Sequence, residues 1–295
     1  MDNDPQLRGP NESGGSDAMG DRFRAALFAR VPAEDLAAVG EAALSSTAAS
    51  AFRRLEAPRR AGHPSISLSH LTVEEDGRPR ELTVLDAVND DMPFLLDSTL
   101  AVLVLRGYEP RLVAHPILAV ERDGEGRLTG LIGDATTVKA GGANTRESFI
   151  HVHLDRVDGE KAQNEVIEAL SAAYADVAAV ARDRAAMRSQ IEGLASEYRA
   201  NSPPLPDEER DEALAFLSWL TDEHFILLGM RASRVPDGEG LPEPLDGSGL
   251  GLLRDPAVHV LKRGGQMVSI TPEIRAFMDR PQALMVTKAS VRSRV

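Results

Sequence analysis

Cysteine is missing from all 295 residues. Its absence excludes disulfides, thiolate zinc centres and cysteine nucleophiles, and it is compatible with a reducing cytoplasm. Basic residues are outnumbered, 33 against 46 acidic, giving a net charge of -13. That balance argues against nucleic acid or an anionic membrane surface as the main partner. No apolar run is long enough to span a bilayer. Residues 1–20 lack both a basic start and an apolar core, so they do not read as a signal peptide; rich in Asp, Asn, Gly, Ser and Pro, they read as a disordered leader. Nucleotide fingerprints are lacking as well. Gly247, Gly249 and Gly251 imitate the start of a dinucleotide loop, but Leu252 stands where its third glycine should be, and no P-loop spacing occurs anywhere.

What is present is enough apolar material, 42% of the residues, for two ordinary domains. Residues 21–57 read as a helical segment broken near Pro32, followed by a linker marked by Pro58, Gly62 and Pro64. A domain at 65–200 follows. Its strands are expected at 66–74, 82–88, 111–121 and 147–155, with a hairpin turn at Asp76-Gly77, a helix over 93–106 and a Gly-rich loop over 123–144. Val166, Leu170, Tyr174, Val177, Ala181, Met187, Ile191, Leu194 and Tyr198 form one apolar stripe on a long helix from about residue 160 to 199. Strand, helix, two strands, helix is the core order of a ferredoxin-like α+β sandwich, in which helices cover one face of an antiparallel sheet. The strand at 66–74 is an addition to that order.

Asn201-Ser202-Pro203-Pro204-Leu205-Pro206 reads as a stiff linker and domain boundary. A second small α+β domain is expected at 207–295. It has a helix over 207–222, strands near 225–235, 251–254, 258–263 and 267–270, a short helix near 273–279 and a last strand at 283–291. The chain stops just after that strand with no polar tail, so this domain reads as truncated and the protein as continuing.

The most informative stretch is Asn89-Asp90-Asp91-Met92-Pro93-Phe94-Leu95-Leu96-Asp97-Ser98, which joins a strand to an almost wholly apolar helix. Asp90 or Asp91 suits a helix cap, Pro93 suits a first helical position, and Gly107 suits the end. N–H groups at a helix start attract carboxylate, whereas the neighbouring acids attract ammonium. An amino acid carries both charges, so Asn89, Asp90, Asp91, Met92, Phe94 and Leu95 are the candidate ligand-binding residues, with capping as the alternative role for the acids. His151 and His153 share one face of their strand with Asp155, while Ile150, Val152 and Leu154 occupy the helix-covered face. Their polar face is expected to meet solvent, another subunit or a neighbouring domain. A metal site there needs a third ligand, for which His115 is the only obvious candidate. Gly141-Gly142 reads as a loop rather than a phosphate cradle, and Trp219 as a core residue.

Three blocks carry a resemblance: residues 89–98, Phe216-Leu217-Ser218-Trp219-Leu220-Thr221-Asp222-Glu223-His224-Phe225-Ile226-Leu227-Leu228-Gly229, and Val286-Thr287-Lys288-Ala289-Ser290-Val291-Arg292-Ser293. In order and spacing they resemble the N-terminal region of the large bacterial NAD-specific glutamate dehydrogenases, over most of the chain from residue 21. The resemblance implies ACT-like regulatory modules, catalytic and NAD-binding domains far downstream, and NAD as cofactor of the full-length enzyme only. It also implies an amino-acid effector at the turn over residues 89–95, homo-oligomerisation and a cytoplasmic location. No catalytic residue carries over. One departure is Phe94, which replaces the usual small glycine after the proline; its ring would fill the ligand site. Two further readings remain open at this stage: a purely structural oligomerisation module, and a small metal enzyme using His151 and His153.

Overall fold

The computed structural model describes residues 13–75, 78–137, 144–201, 205–234, 243–258, 262–263, 266–267 and 284. Its contacts divide the chain into two compact units, 1–177 and 178–295. That division falls inside a helix, upstream of the proline segment read as the boundary. The turn at Asp76-Gly77, the loop at Gly141-Gly142 and the segments expected at 268–283 and 285–291 lie outside the described residues.

The first unit opens with three helices. Helix α1 (Ser13–Phe28) starts inside the segment expected to be a leader, and its Met19 already packs at the core. Phe23 and Leu27, four apart, lie on its buried face. Helix α2 (Ala33–Val39) begins after Pro32, and Gly40, at φ 84°, turns the chain into α3 (Glu41–Glu56). Leu44, Thr47, Ala48, Ala51, Phe52 and Leu55 form the buried stripe of α3. Phe23 stands edge-on to Phe149 with ring centroids 5.0 Å apart, a favourable aromatic geometry.

The sheet contains β1 (Ser65–Glu75), β2 (Arg78–Asp90), β3 (Pro110–Ala114), β4 (Ile117–Arg122), β5 (Leu128–Asp134) and β6 (Thr145–Asp155). Its order is β1-β2-β6-β4-β5, with β3 also paired to β6, and all pairings are antiparallel. The run expected as one strand at 111–121 is broken at His115-Pro116, because proline has no N–H to donate to a ladder. Part of the expected Gly-rich loop forms β5, whose register against β4 shifts twice. Between β2 and β3 lies α4 (Leu95–Leu105), and after β6 comes α5 (Glu160–Ala200), whose first part belongs to this unit. This is the expected α+β, ferredoxin-like, ACT-like arrangement. The added strand β1 takes the place beside β2 that the last strand of such a unit would occupy.

Helices α4 and α5 cover one face as expected. Leu95, Leu103, Val166, Leu170 and Tyr174 pack there with Leu85, Ala87, Ile150, Val152 and Leu154. The other face is not left open: α1 and α3 pack there with Val88, Leu112, Ala114, Leu118, Val120, Leu131 and Phe149. Alternation along β2 and β6 therefore separates two cores.

In the second unit, the remainder of α5 is joined by α6 (Asp207–Trp219), a π-helical turn over Leu220–His224 and short antiparallel pairs. The long strand expected at 225–235 is reduced to β7 (Gly229–Met230) and β8 (Ser233–Arg234). Residues 252–254, expected as strand, form a 3-10 turn. Buried Asp183 of α5 holds this region: it accepts the Gly251 N–H at 2.8 Å and a two-pronged contact from Arg254 at 2.7 and 2.9 Å. Hydrogen bonding from Arg254, then from the Gly251 amide, pulls its carboxyl down to about 2. Trp219, expected in a core, is 40% exposed and lies against His224 and Phe225.

Candidate functional site

Strand β2 ends at Asp90, and the next four residues form the turn into α4. Phe94 adopts φ 69°, ψ 4°, which makes it the only non-glycine residue in the left-handed region among those described. A side chain there costs about 1–2 kcal/mol, because Cβ crowds the following carbonyl. This is the physical reason a glycine suits the position. Phe94→Gly is accordingly expected to be more stable than Phe94→Ala by about 1–2 kcal/mol, since both lose the ring and only alanine keeps the strain. Urea unfolding of the two variants measures the difference, and equal midpoints would contradict it.

The acids of the turn do not cap the helix, contrary to the local reading. No side-chain hydrogen bond caps α4 at Phe94, and the first-turn N–H groups of a helix have no partner within the helix itself. Asp90 instead accepts Arg59 Nη2 at 2.6 Å and the Gly62 N–H at 2.6 Å. Asp91 accepts Arg146 Nε at 3.0 Å, and its own N–H binds the Arg146 carbonyl. Pro93 sits in the turn rather than in the helix.

An open pocket of about 460 Å³ lies at this helix start, lined by Asp91, Met92, Pro93, Phe94, Leu95, Leu96, Asp97 and His115. Of the six candidate residues, Asp91, Met92, Phe94 and Leu95 line it, whereas Asn89 is buried in β2 and Asp90 turns toward Arg59. Phe94 is one of the lining residues and is 40% exposed. His115 and Asp97 are additions. The break at His115-Pro116 was the one sequence signal for His115, which hydrogen-bonds Ser148 Oγ at 2.7 Å through Nε2. Burial lowers its pKa, against the opposing pull of Asp91. The pocket therefore offers carboxylates at Asp91 and Asp97, helix N–H groups, an imidazole that is neutral at pH 7, and apolar walls.

Of the neighbours expected for the face of His151 and His153, the N-terminal helical segment is the one that covers it. Neither residue meets solvent or a second molecule: both are 0% exposed, beneath the N-terminal helices. Asp86 accepts His151 Nδ1 at 2.6 Å, His151 and His153 approach at 2.9 Å through their Nε2 atoms, and Phe28 of α1 stands edge-on to His151. Asp155, expected on their face, is exposed and pairs with Arg80 and Arg111. His115 does not join them, and the described residues hold no group of three or more His, Cys, Asp or Glu that could take a metal.

A mainly antiparallel sheet, with α4 entering at the pocket and α5 packed on the same face, defines an ACT-like α+β module. The chain belongs to the glutamate dehydrogenase ACT1 domain family, whose model matches residues 23–170. It is similar to the NAD-specific glutamate dehydrogenase of Halomonas elongata, with 28% identity over 239 residues, 79% of this chain and 14% of that protein. The corresponding protein of Pseudomonas aeruginosa is 26% identical over 188 residues, 64% of this chain and 11% of its own. That of Mycobacterium tuberculosis is 31% identical over 175 residues, 58% and 10%. The chain thus spans at most 14% of the length of these curated relatives. Among the described residues, no helix is long and apolar enough to cross a membrane.

Proposed function

We propose that this chain is the N-terminal regulatory and assembly region of a large NAD-dependent glutamate dehydrogenase. In that enzyme L-glutamate, NAD and water become 2-oxoglutarate, ammonia and NADH on catalytic domains outside residues 1–295, and NAD binds those domains rather than this one. The region works in a cytoplasmic homo-oligomer and contacts the downstream catalytic part of its own polypeptide. The observation that carries the regulatory reading is the pocket at the start of α4. There Asp91 and Asp97 suit an ammonium group, the N–H groups of the first helical turn suit a carboxylate, and Met92 and Phe94 suit an apolar side chain. An amino acid bound there acts by preferring one packing of the region over another, an equilibrium the catalytic part shares.

A thermal-shift and calorimetry screen of residues 1–295 against the common amino acids tests this. A saturable signal is expected, with stabilisation of about 2.7 kcal/mol at a ligand concentration 100 times Kd. The signal should be lost in both Asp91→Ala and Asp97→Asn. The second variant matters because Asp91 also pairs with Arg146. The second reading, an assembly module without a ligand, is favoured by that same pairing, which already occupies one pocket acid. It would be supported by a concentration-dependent oligomer that responds to no amino acid.

A further inference from the structure

The sheet face beneath α1–α3 contains a buried polar cluster separate from Glu147 and its two arginines. Asp86, His151 and His153 are all buried there, and their hydrogen bonds run in a single chain. A carboxylate only accepts, so His151 must present Nδ1–H to Asp86. In the neutral pair His151 Nε2 is then a bare acceptor, and His153 donates its Nε2–H. This places the remaining lone pair of His153 on Nδ1, which is buried and has no hydrogen-bond partner. A second proton on His153 would put an N–H and a charge where no acceptor exists.

We propose that Asp86, His151 and His153 form an acid-sensitive latch beneath α1–α3, and that a proton taken up by His153 releases these helices from the sheet. The surroundings give a protonated His153 no acceptor at Nδ1. Beside His151 and His153, β2 contributes Val84 and Asp86, the latter engaged with His151, and β3 contributes Leu112 and Ala114. Helix α1 contributes Phe28, while its arginines are committed elsewhere: Arg22 to the Leu131 carbonyl, Arg24 to Glu41, and Arg30, just beyond the helix, to Asp134. Val39 of α2 and Ala43 of α3 pack on the adjoining apolar cluster of Leu71, Val73, Leu82 and Val84. Burial first, and the neighbouring His151 second, hold His153 down to about 3. The sign follows from linkage. The docked state binds fewer protons than the released state, in which an imidazole titrates near 6.5, so docking is strongest above that pH and weakens below it. The opening equilibrium should rise by about tenfold per pH unit from about 6 toward 3.

Hydrogen-exchange mass spectrometry of the 295-residue chain between pH 7.5 and 4.5, corrected for intrinsic exchange, reads this directly. Amides of α1 and α3 are expected to lose protection by roughly 30- to 100-fold over that range, while α4 and residues 160–177 of α5 keep theirs. In His153→Leu the protection of α1 and α3 should not change with pH. If that variant fails to fold, His153→Gln, neutral and polar, serves the same comparison. Protection that is flat with pH in the unaltered chain would overturn the proposal. So would simultaneous loss in α4, or an unchanged pH response in either folded variant.

Discussion

Glu147→Ala is expected to destabilise the first unit by about 3–5 kcal/mol, the usual consequence of stripping one partner from a buried ion pair. Glu147 lies near the start of β6 with its side chain 0% exposed, between two arginines that are themselves nearly buried. Arg59, from the linker after α3, reaches Oε1 at 2.6 Å and continues to Asp90. Arg122, from the end of β4, contacts Oε1 at 2.7 Å and Oε2 at 2.8 Å, and also donates to the carbonyls of Leu55, Ala57 and Gly126. Glu147 is thus the carboxylate shared by the two arginines that fasten the N-terminal helical segment to the sheet, with Asp90 as the second acid on Arg59. Removing it leaves Arg122 without its carboxylate and Arg59 with Asp90 alone, in a site with little access to water, and the cost is mainly theirs. The exposed pair Arg24 and Glu41 provides the contrast. Glu41→Ala is expected to cost less than about 1 kcal/mol, because solvent already screens that contact. Urea unfolding at constant m-value separates the two outcomes. A loss below about 1 kcal/mol for Glu147→Ala would mean that water enters the site and that the network does not hold the segment.

The same network shows where a sequence reading ends. Periodicity located β2, β6, α4 and α5 because their burial follows from spacings of two, three and four residues. It also assigned His151 and His153 correctly to one face of β6. Spacing cannot say what covers a face, and the cover here comes from α1–α3, far upstream in the chain. For this polar pair the spacing left solvent, another subunit and a neighbouring domain all open, and the structure buries it beneath the N-terminal helices. The acids of the β2–α4 turn failed for a related reason. An aspartate before an apolar helix suits a cap by local rules, but Asp90 and Asp91 are taken by Arg59 and Arg146, which lie 31 and 55 residues away. Phe94 went the other way. The family resemblance marked it as standing where a glycine is usual, and the backbone supplies the reason in its positive φ. His115 and Asp97 entered the pocket through geometry, since only the break in the chain at Pro116 brings that imidazole to the helix start.

Gly126→Ala is the second substitution expected to have a large effect, about 3 kcal/mol or more. Residues 123–127 form the turn between β4 and β5, in which Asp123 Oδ1 accepts the N–H groups of Glu125 and Arg127, and Gly126 takes φ 83°. Its carbonyl accepts the Arg59 N–H at 3.0 Å and Arg122 Nη1 at 2.8 Å. A Cβ at Gly126 would collide with the backbone carbonyl of Arg59, which cannot swing aside as a side chain would. Two costs add: about 1–2 kcal/mol for the left-handed backbone, and about 1 kcal/mol for each hydrogen bond lost when the linker is pushed away. Two neighbouring glycines separate these contributions. Gly62 has φ 78° but open space around its missing Cβ, so Gly62→Ala should cost only the backbone share. Gly124 has neither constraint, and Gly124→Ala should be close to neutral. Because Gly126 and Glu147 hold the same two arginines, the double variant should lose less than the sum of the single losses, by about 1 kcal/mol or more. Strict additivity would mean that the turn and the buried carboxylate act independently, and that the linker after α3 has two separate anchors rather than one.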